Sequence, residues 1–387
     1  MIRIDGILHK FIKRAQLELS NQPIPKGLIL VFEGLDGSGK STQVNLLAKI
    51  FEKIGKEVII SKWNSSEKIS DIVKELKNKR DLKPQTWALL EAADLYERIR
   101  KDVLPVISKG GVAIFDRYYY TALVRGTIRG LDYGWVEDLY RYIPDPDFIF
   151  YFRINPVISM SRVIKRSEKL SMSDLLDIDD ALKFYESGQD LSLHQNPAIN
   201  FYFFQQKMSS LYDKIFKKLE NRVCVLDASK DIFSIYGDIL EFLREKKVLS
   251  GFRKYKDIIY YVEFPRGSFR VVGDNKLIMP CDYGFIPNTV GNDFMEVDVL
   301  VGSEDSDFVV KIYHFNKRDE FSEIKYALGF SNENEALNCY SKIYPNRKIK
   351  YEIIDFANFK KEILESSVDT TSKLVEDFLK SYFVKEV

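Results

Sequence analysis

The sequence has few of the features that mark secreted, membrane or nucleic-acid-binding proteins. Its 387 residues include three cysteines, Cys224, Cys281 and Cys339, which are too far apart to suggest a disulfide framework or a metal-binding spacing. No apolar run approaches the roughly 18 residues that a membrane span needs, and the N-terminus lacks a signal-peptide core. The formal net charge of +1 gives no global electrostatic argument for binding nucleic acid or a membrane. We therefore expect a cytoplasmic protein in a reducing compartment that binds neither.

The chain is too long for one typical core, and its pattern changes near residue 250. Residues 1–26 have the pattern of an amphipathic helix, which predicts an N-terminal helical extension. Over residues 27–247, strand-like runs alternate with helical stretches, which predicts an α/β domain with a parallel, doubly wound sheet. Over residues 257–387, short strand-like runs separated by turn signals predict a second, β-rich domain with a helical tail.

A glycine-rich turn lies between the apolar run Leu28–Val31 and a stretch of helical character, and it fits the pattern G-x-x-x-x-G-K-[ST]. Backbone N–H groups in such a loop, together with the helix N-terminus, form an anion site sized for a phosphate chain. Lys40 is predicted to reach the β- and γ-phosphates, and the Ser41 hydroxyl to bind Mg²⁺. The weaker alternative is a turn that only joins a strand to a helix. The predicted ATP-binding residues are Gly34, Asp36, Gly37, Ser38, Gly39, Lys40, Ser41 and Thr42.

Asp116 and Arg117 end the apolar strand-like run that begins at Gly110. A carboxylate at that position can bind Mg²⁺ or orient the acceptor, and a neighbouring arginine can hold phosphate oxygens. Elsewhere such a pair is more often a surface ion pair. After a strand of a phosphate-loop domain, we interpret it as part of the site.

Three segments in this order, 32–43, 111–118 and 146–152, resemble a thymidylate kinase, and the resemblance covers roughly residues 27–245. It implies a P-loop kinase fold and Mg²⁺-dependent transfer of a phosphoryl group from ATP to a deoxynucleoside monophosphate, most simply dTMP. It also implies a homodimer.

By residue, the resemblance assigns Asp36 to the acceptor sugar, Asp116 and Arg117 to the acceptor phosphate, and Thr121 to a hydroxyl near the base. It assigns Lys40, Ser41 and Thr42 to the donor phosphates and the metal. One branch of the family has an arginine in the phosphate loop, and the other branch supplies this positive charge from a flexible lid. The loop here lacks the arginine, so we predict that Arg166, where the lid should begin, supplies the charge. The alternative is that this basic segment is only a solvated helix face. The predicted catalytic residues are therefore Lys40, Asp116, Arg117 and Arg166.

The chain departs from the family where the base and acceptor phosphate are bound. Glu91 stands where the family places a phenylalanine that stacks on thymine, and Leu95 stands where it places a phosphate-binding arginine. The segment Val124–Gly126 replaces the usual Ala-Tyr-Gln. We therefore predict that Arg98, Arg125 or Arg129 takes over the acceptor phosphate. The predicted acceptor-binding residues are Asp36, Arg98, Arg117, Thr121, Arg125 and Arg129.

The second domain carries a run rich in carboxylates with no cysteine or histidine partners, which suits hard divalent ions such as Mg²⁺. A polar loop beside the strands is an equally simple interpretation. The order of these residues resembles soluble inorganic pyrophosphatase, which implies a small β-barrel-like α+β domain with Mg²⁺ held by aspartates. Asp293, Asp298 and Asp319 correspond to metal ligands, and Tyr283 and Lys325 to phosphate contacts.

Within that run, Met295 stands where the family has a central aspartate and Glu296 where it has a proline, so a metal ligand is missing unless Glu296 substitutes. The leading hypothesis is thus a nucleoside monophosphate kinase joined to a pyrophosphatase-like domain. One alternative is a kinase for another monophosphate with an inactive interaction domain. The other is a nucleotide-binding regulator that no longer transfers phosphate.

Overall fold

The computed structural model describes residues 27–80, 82–166, 185–272, 275–287, 289, 296–316 and 318–363. The predicted N-terminal helix and the tail after residue 363 lie outside these residues. The described chain divides into two compact units, of which the first ends at Ile235 and the second begins at Tyr236. The division falls inside a helix, and the domain limits 27–247 and 257–387 stay predictions.

The first unit is built on a five-stranded sheet in which all strands are parallel, in the order β2-β3-β1-β4-β5. The central strand β1 is almost completely buried, because its apolar residues face covering layers on both sides, as a parallel sheet requires. The predicted α/β fold class is confirmed. The strands are β1 (Leu28–Gly34), β2 (Val58–Lys62), β3 (Val112–Asp116), β4 (Phe148–Arg153) and β5 (Val223–Asp227).

The helices of this unit connect successive strands, and a π-helical turn, Ile99–Val103, continues the third helix. The N-terminus of helix α8 is capped by Asn196, whose side chain accepts hydrogen bonds from the N–H groups of Ala198 and Ile199. Pro197 occupies the first helical position, where its fixed φ favours the helix. The helices are α1 (Lys40–Lys53), α2 (Ser70–Asn78), α3 (Pro84–Arg98), α4 (Leu104–Ile107), α5 (Tyr119–Ile128), α6 (Tyr133–Leu139), α7 (Pro156–Arg166), α8 (Pro197–Phe216) and α9 (Ile232–Glu245).

The second unit contains a seven-stranded mixed sheet in the order β14-β12-β13-β11-β10-β7-β6, and the β-rich α+β prediction is confirmed. In this order β14 and β6 are the two end strands. A separate hairpin pairs β8 with β9. The strands are β6 (Phe252–Tyr255), β7 (Ile258–Phe264), β8 (Phe269–Val272), β9 (Asn275–Ile278), β10 (Asp282–Ile286), β11 (Val297–Val301), β12 (Phe308–Phe315), β13 (Phe321–Leu328) and β14 (Ile349–Asp355).

Two apolar clusters form the core of the second unit, one on each face of the mixed sheet. Helix α10 (Glu333–Ile343) contributes its buried side chains to one cluster, and helix α11 (Phe356–Ile363) contributes Phe359 to the other. Because neighbouring residues of a strand point to opposite faces, β11 supplies Leu300 to the first cluster and Val299 to the second. In the part of the chain that the structure describes, no helix is long and apolar enough to cross a membrane.

Candidate active site

The glycine-rich loop leaves the carboxyl end of β1 and leads into α1, as the motif predicts. Gly34 has φ of 144°, and a Cβ at this position would lie 2.6 Å from the carbonyl oxygen of Phe152 on β4. Gly37 has φ of 75°, and its Cβ would lie 2.7 Å from the carbonyl oxygen of Ser159 on α7. Both positions need glycine because the loop turns sharply against neighbouring backbone.

Lys40 folds back over this loop and is buried. Its Nζ donates to the carbonyl oxygens of Leu35 at 2.7 Å and Gly34 at 3.2 Å, and to Ser38 Oγ at 3.2 Å. Burial, and then the charge of Arg117, lower the pKa of Lys40 to about 7, although nearby carboxylates act in the opposite direction. In the part of the chain that the structure describes, this ammonium group donates to carbonyl and hydroxyl oxygens and to no carboxylate, so phosphate oxygens could replace these acceptors.

The parallel register of β1 and β3 places Asp116 next to the start of α1. Phe32 is opposite Asp116, and Ser41 Oγ donates to Asp116 Oδ2 at 2.5 Å. Ser41 and Thr42 are exposed, and Asp116 is half-buried. The structure thus brings the predicted magnesium-binding hydroxyl and carboxylate together, although they are 75 residues apart in sequence.

Asp36, in the loop, is the centre of an ion-pair cluster. Arg117 Nη2 donates to Asp36 Oδ1 at 2.5 Å, Gln205 Nε2 to Oδ2 at 3.4 Å, and Arg125 Nη2 lies 3.9 Å from Oδ2. Burial alone would raise the pKa of Asp36, but the charges of Arg117, Arg125 and Lys40 outweigh it and lower the pKa to about 2. The carboxylate is therefore ionised at neutral pH and can accept a hydrogen bond from a ligand hydroxyl.

Arg117 itself is held in a specific conformation. Its φ is 74°, and its Nη1 lies 3.3 Å from Thr121 Oγ1 and 3.4 Å from the hydroxyl of Tyr212. A residue other than glycine that has a positive φ is strained, and such residues concentrate at functional sites. Three predicted acceptor-binding residues, Asp36, Arg117 and Thr121, thus lie in one cluster.

Glu33 is a site residue that the sequence interpretation did not identify. Its side chain is fully buried and accepts hydrogen bonds from four groups, which lie on α5, on the residue just before α5 and on α8. Burial raises its pKa, although Arg117 and these hydrogen bonds oppose the shift. Because it lies next to Gly34, Glu33 joins the phosphate loop to α5 and α8. The donors are the backbone N–H groups of Tyr118 and Thr121, the Thr121 hydroxyl and the Tyr212 hydroxyl.

The structure gives two other predicted arginines different partners. Arg98 is buried, where its Nε donates to Asp94 Oδ2 at 2.7 Å and its Nη1 to Ser61 Oγ at 2.5 Å. Arg129 makes a two-point ion pair with Asp190 at 2.7 and 2.9 Å and lies over the ring of Trp87. Neither guanidinium is hydrogen-bonded within the cluster around Asp36. The backbone of Arg166 ends helix α7, and its side chain lies outside the described residues.

The second unit contains a buried lysine of a different kind. Lys325 Nζ donates to Asp298 and pairs with Glu323 at 2.9 Å, and it lies 3.3 Å from the Tyr283 hydroxyl. Tyr283 in turn donates to Asp298 Oδ2 at 2.5 Å, and the hydroxyl of Tyr344 donates to that of Tyr283 at 3.1 Å. Burial opposes protonation of Lys325, but Tyr344, Asp298 and Glu323 outweigh it and raise the pKa. The two predicted phosphate contacts, Tyr283 and Lys325, are therefore neighbours.

The predicted metal site of this unit stays a prediction, since the structure describes only two of its three aspartates. Asp298 is engaged by Lys325 and Tyr283, and Asp319 is exposed in the turn before β13. Asp293 lies outside the described residues. Within the described ranges, no three His, Cys, Asp or Glu side chains are grouped so that they could hold a metal ion.

Comparison with known proteins agrees with this division of the chain. The family model for thymidylate kinase matches residues 32–200, and the family model for inorganic pyrophosphatase matches residues 253–363. The first match contains the phosphate loop, and the second contains the cluster around Lys325.

Curated relatives cover the first unit. The chain is 36% identical over 220 residues to a probable thymidylate kinase 2 of Saccharolobus solfataricus, in an alignment that covers 57% of this chain and 97% of the relative. It is 34% identical to a probable thymidylate kinase of Thermococcus gammatolerans, over 41% of this chain and 80% of that protein. It is 30% identical to a thymidylate kinase of Prosthecochloris aestuarii, over 57% of this chain and 94% of that protein.

A solved structure, the thymidylate kinase from Ehrlichia chaffeensis, matches 56% of this chain and 98% of its own with 20% identity and a TM-score of 0.41. The identity of more than one third over nearly the whole length of a curated relative is the stronger finding. Together with the family-model match, it shows that the chain belongs to the thymidylate kinase family.

Proposed function

We propose that the protein transfers the γ-phosphoryl group of ATP to a deoxynucleoside monophosphate, with dTMP as the preferred acceptor. The observation that carries the proposal is the convergence of Lys40, Asp36, Asp116 and Arg117 at the carboxyl ends of β1 and β3. Ligands of open parallel sheets bind at this edge. The names of the curated relatives support thymidylate as the acceptor.

On the donor side, Lys40 provides a buried ammonium group beside the loop amides. Its hydrogen bonds to the loop carbonyls of Gly34 and Leu35 can be exchanged for bonds to phosphate oxygens. Catalysis of phosphoryl transfer rests mainly on positioning and on stabilising negative charge, and a lysine at this place contributes to both.

The residues at Ser41 and Asp116 fit a magnesium ion. A hydroxyl and a carboxylate oxygen lie within hydrogen-bond distance of each other at an exposed edge, and Mg²⁺ usually takes one or two such protein ligands together with substrate phosphates. When bound, the ion would neutralise charge on the β- and γ-phosphates.

On the acceptor side, Arg117 would hold the monophosphate and Asp36 a hydroxyl of the sugar. Glu33 and Tyr212 keep Thr121 and Arg117 in place, so the acceptor site is organised before the substrate binds. The predicted role of Arg166 in stabilising the transferred group stays a prediction, as does the homodimer, which light scattering after size exclusion would test.

The test is a coupled assay of the full chain with Mg-ATP and a panel of nucleoside and deoxynucleoside monophosphates, in which ADP and the diphosphate product are measured together. We expect product with dTMP and its loss in Lys40→Met. If no monophosphate yields a diphosphate, the kinase proposal is wrong, and the nucleotide-binding regulator is the remaining hypothesis.

For the second unit we propose a pyrophosphatase-like domain, which is supported by the family-model match and by the adjacent Tyr283 and Lys325. Phosphate release from pyrophosphate in the presence of Mg²⁺, lost in Asp298→Ala, would assign hydrolysis to it. Absence of release from the wild-type chain would instead support an interaction role.

A further inference from the structure

Three aromatic side chains form a group on one face of the mixed sheet in the second unit. Tyr313 and Phe315 are two residues apart on β12, so they point to the same face, and Phe321 of β13 is opposite Phe315. The ring of Phe321 lies 6.3 Å from that of Tyr313 and 6.2 Å from that of Phe315. Tyr313 and Phe315 are half-buried and Phe321 is 47% exposed, so the group is partly open to solvent.

Lysines next to the same face place a positive charge beside two of these rings. In the antiparallel register Lys350 of β14 is opposite Tyr313, and its Nζ lies 5.0 Å from the centre of that ring. Lys348, just before β14, has its Nζ 5.3 Å from the centre of the Phe315 ring. Both lysines are exposed, and the ion pairs among the described residues include neither of them. Their charges are therefore available to a ligand.

Carboxylates of this face lie beside a third lysine instead. Lys311 of β12 pairs with Glu362 of α11 at 2.9 Å, and Glu352 of β14 is opposite Lys311. In the turn between β12 and β13, Glu320 accepts a hydrogen bond from Asn316 Nδ2 at 2.9 Å. The positive charge that has no ion-pair partner within the described chain is thus found beside the rings.

The two pairs of ring and lysine repeat at a spacing that suits an extended nucleic acid strand. The rings of Tyr313 and Phe315 are two residues apart on their strand, as are Lys350 and Lys348, and two residues of a strand advance by about 7 Å. Proteins that bind single strands without reading the sequence combine rings on which bases stack with cations that hold phosphates. Each pair can therefore serve one nucleotide, the ring for its base and the ammonium group for its phosphate.

We propose that the face formed by Tyr313, Phe315, Phe321, Lys348 and Lys350 binds single-stranded nucleic acid without sequence preference. An acidic peptide would use the lysines but would leave the three rings without stacking partners, so the rings favour nucleic acid. The formal net charge of +1 describes the whole chain and does not report a local patch of this kind. The inference is independent of the proposed phosphoryl transfer, because all five residues lie in the second unit.

The experiment measures the fluorescence anisotropy of a fluorescein-labelled, unphosphorylated oligodeoxyadenylate of about ten nucleotides with the full chain. Excess ADP, dTMP and methylenediphosphonate, a pyrophosphate analogue that is not hydrolysed, keep other nucleotide or phosphate sites from contributing. We expect the wild type to bind and Phe321→Ala to weaken binding about 5- to 20-fold, because a stacking platform is lost.

Ile353→Ala is the matched control for Phe321→Ala. Ile353 is 53% exposed, but it is opposite Val310, whose side chain belongs to the apolar cluster on the other face of the sheet. The control removes a similarly exposed apolar side chain from the same sheet, and the affinity for the oligonucleotide should not change.

A double variant, Lys348→Gln with Lys350→Gln, tests the phosphate contacts. Loss of two contacts to a single strand should lower the slope of log Kd against log salt concentration by about 1.4. Lys276→Gln with Lys342→Gln removes the same charge from exposed positions on β9 and α10, and should leave the slope unchanged.

The proposal is wrong if the wild-type chain does not bind the oligonucleotide, if Phe321→Ala and Ile353→Ala bind equally, or if the two double variants have the same salt slope. It is also wrong if a polyglutamate peptide of equal charge displaces the oligonucleotide at equal concentration, since the face would then recognise negative charge alone and its partner would be an acidic protein segment. Should Phe321→Ala lose the wild-type circular dichroism spectrum, Phe321→Leu, which keeps an apolar side chain without the ring, takes its place.

Discussion

Each of the two units buries one lysine beside carboxylates, yet the surroundings of these two lysines differ. Lys40 donates to carbonyl and hydroxyl oxygens, and burial with the nearby Arg117 lowers its pKa to about 7. Lys325 pairs with Asp298 and Glu323, whose charges raise its pKa. The first lysine lacks a bound counter-charge, and the second already has two.

This difference shows how to distinguish a site that can bind an anion from a network whose cation is already paired with carboxylates. A polyphosphate that binds at Lys40 can accept hydrogen bonds from the ammonium group, which in the described residues donates only to carbonyl and hydroxyl oxygens. At Lys325, an anionic ligand has to compete with two carboxylates, so that lysine is more strongly committed to the structure of its unit. The predictions below test this contrast.

The largest expected effect is on phosphoryl transfer. Lys40→Met should lower kcat/KM for dTMP by about 10³-fold, because a preorganised charge at the transferred phosphate is lost. Lys325→Met, a matched change of a buried lysine in the other unit, should leave kcat/KM for dTMP unchanged. Equal losses in both variants would contradict the comparison.

The second expected effect is on stability, where Lys325→Met should cost more than Lys40→Met. Lys325→Met leaves Asp298 and Glu323 together without their cation, and should lower the free energy of unfolding of the second unit by about 3 kcal/mol. Urea denaturation followed by intrinsic fluorescence measures the change. Lys40→Met removes a buried ammonium without a carboxylate partner, and we expect no loss of stability. A loss as large as that of Lys325→Met would show that both lysines are structural.

Glu33→Gln tests how far the stability of the first unit depends on the hydrogen bonds that Glu33 accepts beside the phosphate loop. The amide keeps the size of the side chain but turns one acceptor oxygen into a donor that faces N–H and hydroxyl groups. We expect a loss of about 2 kcal/mol in the free energy of unfolding of the first unit, and a lower melting temperature in calorimetry. Glu97→Gln on α3 is the control, because its partners are Lys68 and Arg100. An unchanged melting temperature would mean that Glu33 does not stabilise the loop.

The smallest effect concerns pH. Burial, Lys325 and Arg347 lower the pKa of His314 to about 4, below the ordinary value of 6.5. Between these values the unfolded chain binds the proton first, so the second unit should lose about 1–2 kcal/mol as pH falls from 6.5 to 4.5. His314→Gln removes the titrating group, so the stability of this variant should fall less over the same pH interval. Parallel stability curves for the two proteins would contradict the assignment.

The parts of the fold and site that depend on short segments could be predicted. The strand, loop and helix from residue 28 onward, and Asp116-Arg117 after the third strand, are local patterns that the structure reproduces. Glu33 lies in the same segment, but its four hydrogen bonds come from residues 85 to 179 positions away. No local signal distinguishes it from an ordinary strand residue.

The predicted acceptor-binding arginines also show that local sequence does not always determine which partners a side chain finds. The sequence predicts Arg98, Arg125 or Arg129 as the acceptor-phosphate ligand, because Arg98 lies about one helical turn beyond Leu95 and the segment 122–130 carries the other two. Arg98 pairs with Asp94, four residues earlier on the same helix, which is a local contact. Only the tertiary structure pairs Arg129 with Asp190 and leaves Arg125 beside Asp36.

By itself, the sequence determined the kinds of elements, their order and the phosphate loop on which the proposed donor site rests, because such a loop is built from consecutive residues. The tertiary structure decided which charged side chains are neutralised and which are left for a ligand. That outcome depends on burial and on partners brought from distant segments, so it is a property of the folded chain alone.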